Sequence, residues 1–277
     1  MTDPHPHHLP LHAGVGPTGW ITAVAALVAA VAYVLASTRL RHRGDTWPAC
    51  RDTSFVGGCG AVAVLGPLPG GSFTAHMAHH LVLAMVAPVL VVCARPLTLV
   101  LRALPPGRAR RTLLSVAHSK AATVLTFPPL VTLFDIGGLW LLYRTGLFAT
   151  THHQPLVHAA VHFHVLAAGL LFTFTVCQLD PVRHRWSLAW RGSALVAAGA
   201  AHAVLAKALY ATPPPHTTFT PADVQTGAQL MYYGGDAVEV ALAVVIAIQW
   251  YTATGRARAR AQRREPASWI NSTTPVP

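Results

Sequence analysis

VQTGAQLMYYGGDAVEVALAVVIAIQWYTATGRARARAQRR, residues 224–264, decides the fold class. Its first part, 224–251, holds no Lys or Arg and is longer than the roughly 20 residues a helix needs to cross a bilayer. Five arginines then follow at once: Arg256, Arg258, Arg260, Arg263 and Arg264. A long apolar run stopped by a basic cluster marks a helix end at an anionic membrane face.

The same pattern recurs towards the amino terminus. Apolar runs at 20–36, 55–68, 74–94, 121–142, 155–177 and 193–210 predict six more crossings. The run at 55–68 is short and rich in Gly57, Gly58, Gly60 and Gly66, so a re-entrant segment is its alternative. Composition agrees with a chain embedded in lipid. Of 277 residues, 53% are hydrophobic and 10% are Asp, Glu, Lys or Arg, against roughly 25% charged in soluble domains. Mean hydropathy is +0.44. The net charge of +11 does not point to nucleic acid, because the cations sit in short clusters between apolar runs without interleaved aromatics.

Alternate connections differ sharply in charge. All but Arg144 and Lys207 of the 20 Lys and Arg fall in the first, third and fifth loops or the carboxyl-terminal tail. This alternation predicts an all-α bundle of about seven transmembrane helices in the cell's inner or plasma membrane, amino terminus outside and carboxyl terminus cytoplasmic. The expected organisation is a flexible His-containing tail at 1–17, a helical membrane domain at 18–252 and a basic cytoplasmic tail at 253–277. The first run lacks a basic n-region and a small-residue cleavage site, so it is not expected to be a cleaved signal peptide. Cys50, Cys59, Cys93 and Cys177 all fall towards the cytoplasmic side, and no disulfide framework is expected.

Histidine shows the opposite bias. All but His42, His118 and His184 of the 17 histidines lie outside or in the outer half of a span. Imidazole, with an occasional thioether, suits copper and other late transition metals. The tail residues His5, His7, His8 and His12 read as a solvated segment. His76, His79 and His80 share an arc of the third crossing. His158 and His162 share a face of the fifth, from which His164 points away. Counted from the outer helix ends, His80, His162 and His202 lie at a common depth of roughly 9–12 Å. Converging on one ion is one role open to them, and donation to polar groups within the bundle is the other.

The last crossing carries a polar stripe: Gln225, Gln229, Tyr232, Asp236 and Glu239 project within about 100° of one another. Two carboxylates at i, i+3 in low dielectric need protein, water or a cation beside them. Asp135 and Lys207 are the expected further members, Lys207 beside a carboxylate. Met77 and Met231 lie near the same level, where soft ligation is one role open to them and core packing, the commoner one for Met in a bundle, is the other.

These residues resemble the CtaG-type assembly factors of caa-type cytochrome c oxidase. The run FTAHMAHHLVLAMVAPVLVVCARPLTLVLRALP, 73–105, is similar to that family's third helix through His76, Met77, His80, Met85, Pro88 and Pro96, with His79 or His80 able to take the ligand position. HAAVHFHVLAAGLLF, followed by Asp180 and Pro181, resembles the fifth. AHAVLAKALY resembles the sixth, and Gln229 through Trp250 the seventh. The resemblance implies a non-enzymatic role in maturing a haem–copper oxidase, with copper placed at the extracytoplasmic face. Its implied partners are oxidase subunits and a soluble copper donor. The metal ligands expected are His76, His80, His162 and His202, with Met77 or Met231; Asp236 and Glu239 would orient them or carry protons. A copper transporter and a haem-binding electron carrier with His80 and His162 as axial ligands are the alternatives. A retinal protein fits poorly, because Lys207 lies on the sixth crossing rather than the last.

Overall fold

The computed structural model describes residues 17–67 and 71–264. Most of the expected amino-terminal tail, with its four histidines, and residues 265–277 lie outside that description. Among the described residues the chain is helical, without a strand. In chain order the helices are α1 (Pro17–His42), α2 (Ala49–Leu65), α3 (Phe73–Cys93), α4 (Pro96–Ala103), α5 (Arg108–Ala117) and α6 (Lys120–Leu125). They continue with α7 (Pro128–Arg144), α8 (Leu147–His153), α9 (Pro155–Cys177), α10 (Leu188–Ala211) and α11 (Pro221–Arg264).

Five of these, α1, α3, α9, α10 and α11, are long and apolar enough to cross a membrane. Their outward faces carry exposed apolar side chains such as Val28, Phe163, Val196 and Val244, as a lipid-facing bundle requires. The chain is a membrane protein. The two remaining expected crossings coincide with α2 and α7, each of 17 residues, or about 26 Å of helix. The apolar run 121–142 forms two helices rather than one. Pro128 and Pro129 have no backbone N–H to donate, so α6 ends at Leu125 and α7 restarts at Pro128. In the other direction, α11 does not stop near Tyr251. It runs on to Arg264 as a single helix of 44 residues, because Arg and Ala are strong helix formers and no Pro or cap interrupts them.

α3 is the hub. It packs on α2, α9 and α11, while α10 packs on α11 and α7, and α1 rests against α2 and α4. Two aspartates distant in sequence, Asp223 on α11 and Asp180 in the connection after α9, fasten the start of α3 and the start of the helix that follows it. Asp223 accepts from Phe73 N at 2.7 Å, Thr74 N at 3.0 Å and Thr74 Oγ1 at 2.7 Å, occupying orphan donors at the start of α3. At the other end, Arg95 turns left-handed at φ 55°. Asp180 then accepts from Thr98 N at 2.8 Å and Thr98 Oγ1 at 2.5 Å, capping α4.

Small residues let the backbones close in, the usual device where lipid removes the hydrophobic drive. Gly169 of α9 lies directly against the Ala84 carbonyl of α3, and Gly234 of α11 against Leu81. Phe73, Met77, Tyr143, Phe148, Leu205, Leu209 and Met231 fill a core between these helices.

Candidate functional site

The hub helix is not uniform. Between Leu81 and Ala87 it opens into a π turn, Val82–Val86. In a continuous α-helix His80 and Met85, five residues apart, would face directions about 140° apart. The wider turn holds more residues per revolution, which brings Met85 round to the side of His80. Both line a small, largely enclosed cavity of about 30 Å³, with Asp135 of α7, His202 of α10 and Glu239 of α11. That is room for one or two water-sized occupants.

The two imidazoles are the core of the arrangement. His80 is 5% exposed and His202 3%. Their rings stack at 6.4 Å between centroids and 26° between planes. The Nε2 atom of each is buried without a hydrogen-bond partner. A buried, unpaired imidazole nitrogen is costly, and two in one cavity make this the candidate site. On its other edge His202 holds Nδ1 3.7 Å from Glu239 Oε1.

Two glycines make this packing possible. A Cβ on Gly235 of α11 would run into the His202 ring, and a Cβ on Gly199 of α10 into the Glu239 carboxylate. Gly199 stands one turn from His202, and Gly235 one turn from Glu239. Each helix thus gives up a side chain to admit the other's functional group. Asp236 is in electrostatic reach of both His202 and Glu239.

The remaining candidates divide clearly. His79 places Nδ1 2.8 Å from the Ala75 carbonyl and Nε2 2.7 Å from the Leu65 carbonyl. Both ring nitrogens are engaged, and of this adjacent pair it is His80 that reaches the cavity. His76, one turn before His80 on α3, sits with Nε2 2.9 Å from Tyr143 Oη, and the Tyr143 ring meets His80 edge-on at 6.1 Å. His162 is not brought to His80. Its ring lies 4.2 Å from that of His158, outside the cavity lining, so equal depth did not mean convergence. His164 packs on the opposite side, 4.5 Å from the Phe134 ring and against Gly138.

Met77 and Met231 are buried in the apolar core beside Phe73 and Tyr143, at 0% and 1% exposure. The thioether at the cavity is instead Met85, whose place the π turn decides. Lys207 pairs with no carboxylate among the described residues. It is exposed, with Nζ 5.5 Å over the Tyr232 ring, and shares an open groove of about 290 Å³ with Tyr210, Gln229 and Tyr233. The polar stripe of α11 therefore splits: Glu239 turns to the cavity, while Tyr232 and Gln229 line the groove. No group of three or more His, Cys, Asp or Glu among the described residues forms a ready metal cage. The cavity offers two imidazoles, one thioether and nearby carboxylates rather than a closed polyhedron.

The fold and this cavity define a polytopic helical membrane protein with a buried imidazole–carboxylate chamber between α3, α7, α10 and α11. The chain belongs to the cytochrome c oxidase caa3 assembly factor family (Caa3_CtaG), whose model matches residues 31–253. It is 32% identical over 200 residues to an uncharacterized protein of Mycobacterium bovis, covering 68% of this chain and 30% of that one. An uncharacterized protein of Mycobacterium leprae is 33% identical over 168 residues, 56% of this chain and 25% of the relative. The chain thus spans less than a third of the length of these relatives. No solved structure matches it.

Proposed function

We propose that this chain takes up copper as cargo in the cavity between His80 and His202 and passes it to a haem–copper oxidase being assembled. The bundle would have seven crossings, with the amino terminus outside and the basic loops in the cytoplasm. The observation that carries the reading is the pair of buried, partnerless Nε2 atoms facing one cavity with the Met85 side chain. Two imidazoles and a thioether form a donor set suited to copper, and an incomplete one favours release. Glu239, beside His202 Nδ1, would hold the imidazole proton on that nitrogen and so orient the ring with Nε2 free for the metal. His76 would support His80 through Tyr143, and His162 would serve as an entry residue rather than a ligand at the cavity. Oxidase subunits and a soluble extracytoplasmic copper donor are the proposed partners. Family membership supports the oxidase link, and no covalent chemistry is proposed.

A transporter would need a path onward to the cytoplasmic side. Instead, Arg191 donates to the Val176 carbonyl at 2.9 Å and to Gln249 Oε1 at 3.0 Å, while Gln249 Nε2 donates to the Cys177 carbonyl at 2.6 Å. This network ties α9, α10 and α11 together below the cavity. A haem carrier is opposed by size, since about 30 Å³ holds no macrocycle.

The test is oxidase maturation in cells whose own copy is replaced by His80→Ala or His202→Ala. Oxidase lacking copper, with the variant protein still inserted in the membrane, is the expected result. Full oxidase copper and activity in both strains would overturn the proposal.

A further inference from the structure

At the opposite end of the bundle, the connection between α4 and α7 carries a short surface helix, α5. None of the residues of α5 is buried. At about 100° per residue, Ala109, Leu113, Val116 and Ala117 fall within an arc of about 100°, with Arg110 at its edge and Leu114 beyond. Arg108, Arg111, Thr112 and Ser115 lie opposite. Val116 remains 61% exposed, as do Val124 at 59% and Leu125 at 55% on α6. Leu113, Leu114 and Ala117 are half-buried, and a short surface helix with a basic face and a partly covered apolar face has the composition of one that lies in a membrane interface.

Immediately beside it is an open pocket of about 460 Å³ lined by Lys120, Thr123, Val124, Arg183 and His184. Three of these five are basic side chains, and among the described residues none of the three is in an ion pair. The pocket joins two loops, because Arg183 donates to the His118 carbonyl at 3.2 Å. Its depth in the membrane is marked by an aromatic cluster. Phe127 lies 5.1 Å from Trp186 and 5.8 Å from Trp190, and His184 lies 4.4 Å from Trp186. Such rings settle at the headgroup level. Two donors on these same connections, Trp186 Nε1 and Arg110 Nε, are buried without an acceptor.

We infer that Lys120, Arg183 and His184, with α5 lying beside them in the interface, form a site for the headgroup of an anionic phospholipid. The cations and spare N–H donors meet phosphate oxygens. The apolar face of α5 and the exposed Val124 and Leu125 meet the acyl chains. Ionic attraction alone would accept any anion, but the adjacent apolar surface selects one that carries a hydrocarbon tail. Phosphatidylglycerol is the probe that tests this.

The full chain is placed in nanodiscs of phosphatidylcholine, with and without phosphatidylglycerol, and the lipids retained after release into detergent are counted by native mass spectrometry. The parent should retain phosphatidylglycerol over phosphatidylcholine, and amides 108–117 should exchange more slowly in discs containing it. Lys120→Ala and Arg183→Ala should each lower that preference about fivefold, the equivalent of roughly 1 kcal/mol per cation at a membrane surface. The charge-conserving pair Lys120→Arg and Arg183→Lys should keep it, which separates loss of charge from loss of fold. Excess glycerol phosphate should not displace the lipid. Equal retention of both lipids by the parent, unchanged preference in the alanine variants, equal loss in the charge-conserving pair, or displacement by free phosphate would each overturn the inference.

Discussion

Gly235→Ala is the most economical probe of the cavity, because it adds one methyl group and removes nothing. In an open helix position the change should stabilise, since Ala exceeds Gly in helix propensity by about 1 kcal/mol. At Gly235 the new Cβ would collide with the His202 ring, with Nδ1 at 2.7 Å. The obstacle is a ring that is itself packed, on one side against His80 and on the other near Glu239. Overpacking of this kind costs about 1–3 kcal/mol, so the net change is about 0–2 kcal/mol of destabilisation. The ring must swing, and a shift of that size in a ligand's support lowers metal affinity about 10–100-fold. Gly192→Ala on α10, where nothing lies within 4 Å, is the control and should be neutral or slightly stabilising. Thermal unfolding in detergent and copper titration of the purified chain read both effects. If Gly235→Ala binds copper like the parent and melts no lower than Gly192→Ala, the Gly235–His202 contact does not govern the site.

Further outcomes follow from the same geometry. His80→Ala and His202→Ala should each abolish most copper binding, and the double variant should lose little more, because the rings share one site; additive losses in a double-mutant cycle would separate them. His162→Ala, outside the cavity, should keep most of the equilibrium affinity, as a direct titration would show. Met85→Leu, close in volume to Met, should weaken Cu(I) binding with little change in melting temperature, whereas Met77→Leu should leave affinity unchanged. Asp236→Asn and Glu239→Gln should leave membrane insertion intact and reduce oxidase maturation, measured as oxidase activity in isolated membranes. A reporter active only outside the cytoplasm should be active when fused after Gly71, Thr151 or His216, and silent after Arg43, Arg110 or Arg185; silence at Gly71 would show that α2 does not cross.

The long helices were legible because burial in lipid leaves a signal that needs no tertiary information. The runs at 155–177 and 224–251 each lie within a helix that is long and apolar enough to cross. Breaks were harder to read. Pro128 and Pro129 separate α6 from α7, yet the hydrophobic run continues across them, so composition alone did not mark the boundary. The continuation of α11 to Arg264 was hidden for the opposite reason: its charge suggested a tail, although Ala and Arg favour helix.

At the site, His80, His202, Asp135 and Glu239 were each visible as polar groups where polar groups are expensive. Their convergence was not, since helical spacing gives depth and face but not which helices adjoin. That gap explains why His162, at the right depth, lies with His158 instead. Met85 was missed as a cavity residue because a regular helix turns it away from His80, and nothing in the sequence announces the π turn at Val82–Val86. The glycines carried a usable signal. Gly199 and Gly235 each sit one turn from a polar residue of their own helix, where a missing side chain leaves space for a neighbour's functional group.

The central claim is that copper binds between His80 and His202. The measurement is the copper content of the purified chain after loading with Cu(I) and exhaustive washing, together with X-ray absorption at the copper edge. The account predicts one copper per chain, with nitrogen and sulfur scatterers in the parent, no sulfur in Met85→Leu, and no bound copper in the His80→Ala, His202→Ala double variant. Copper retained at parental stoichiometry in that double variant, or none bound by the parent, would contradict it.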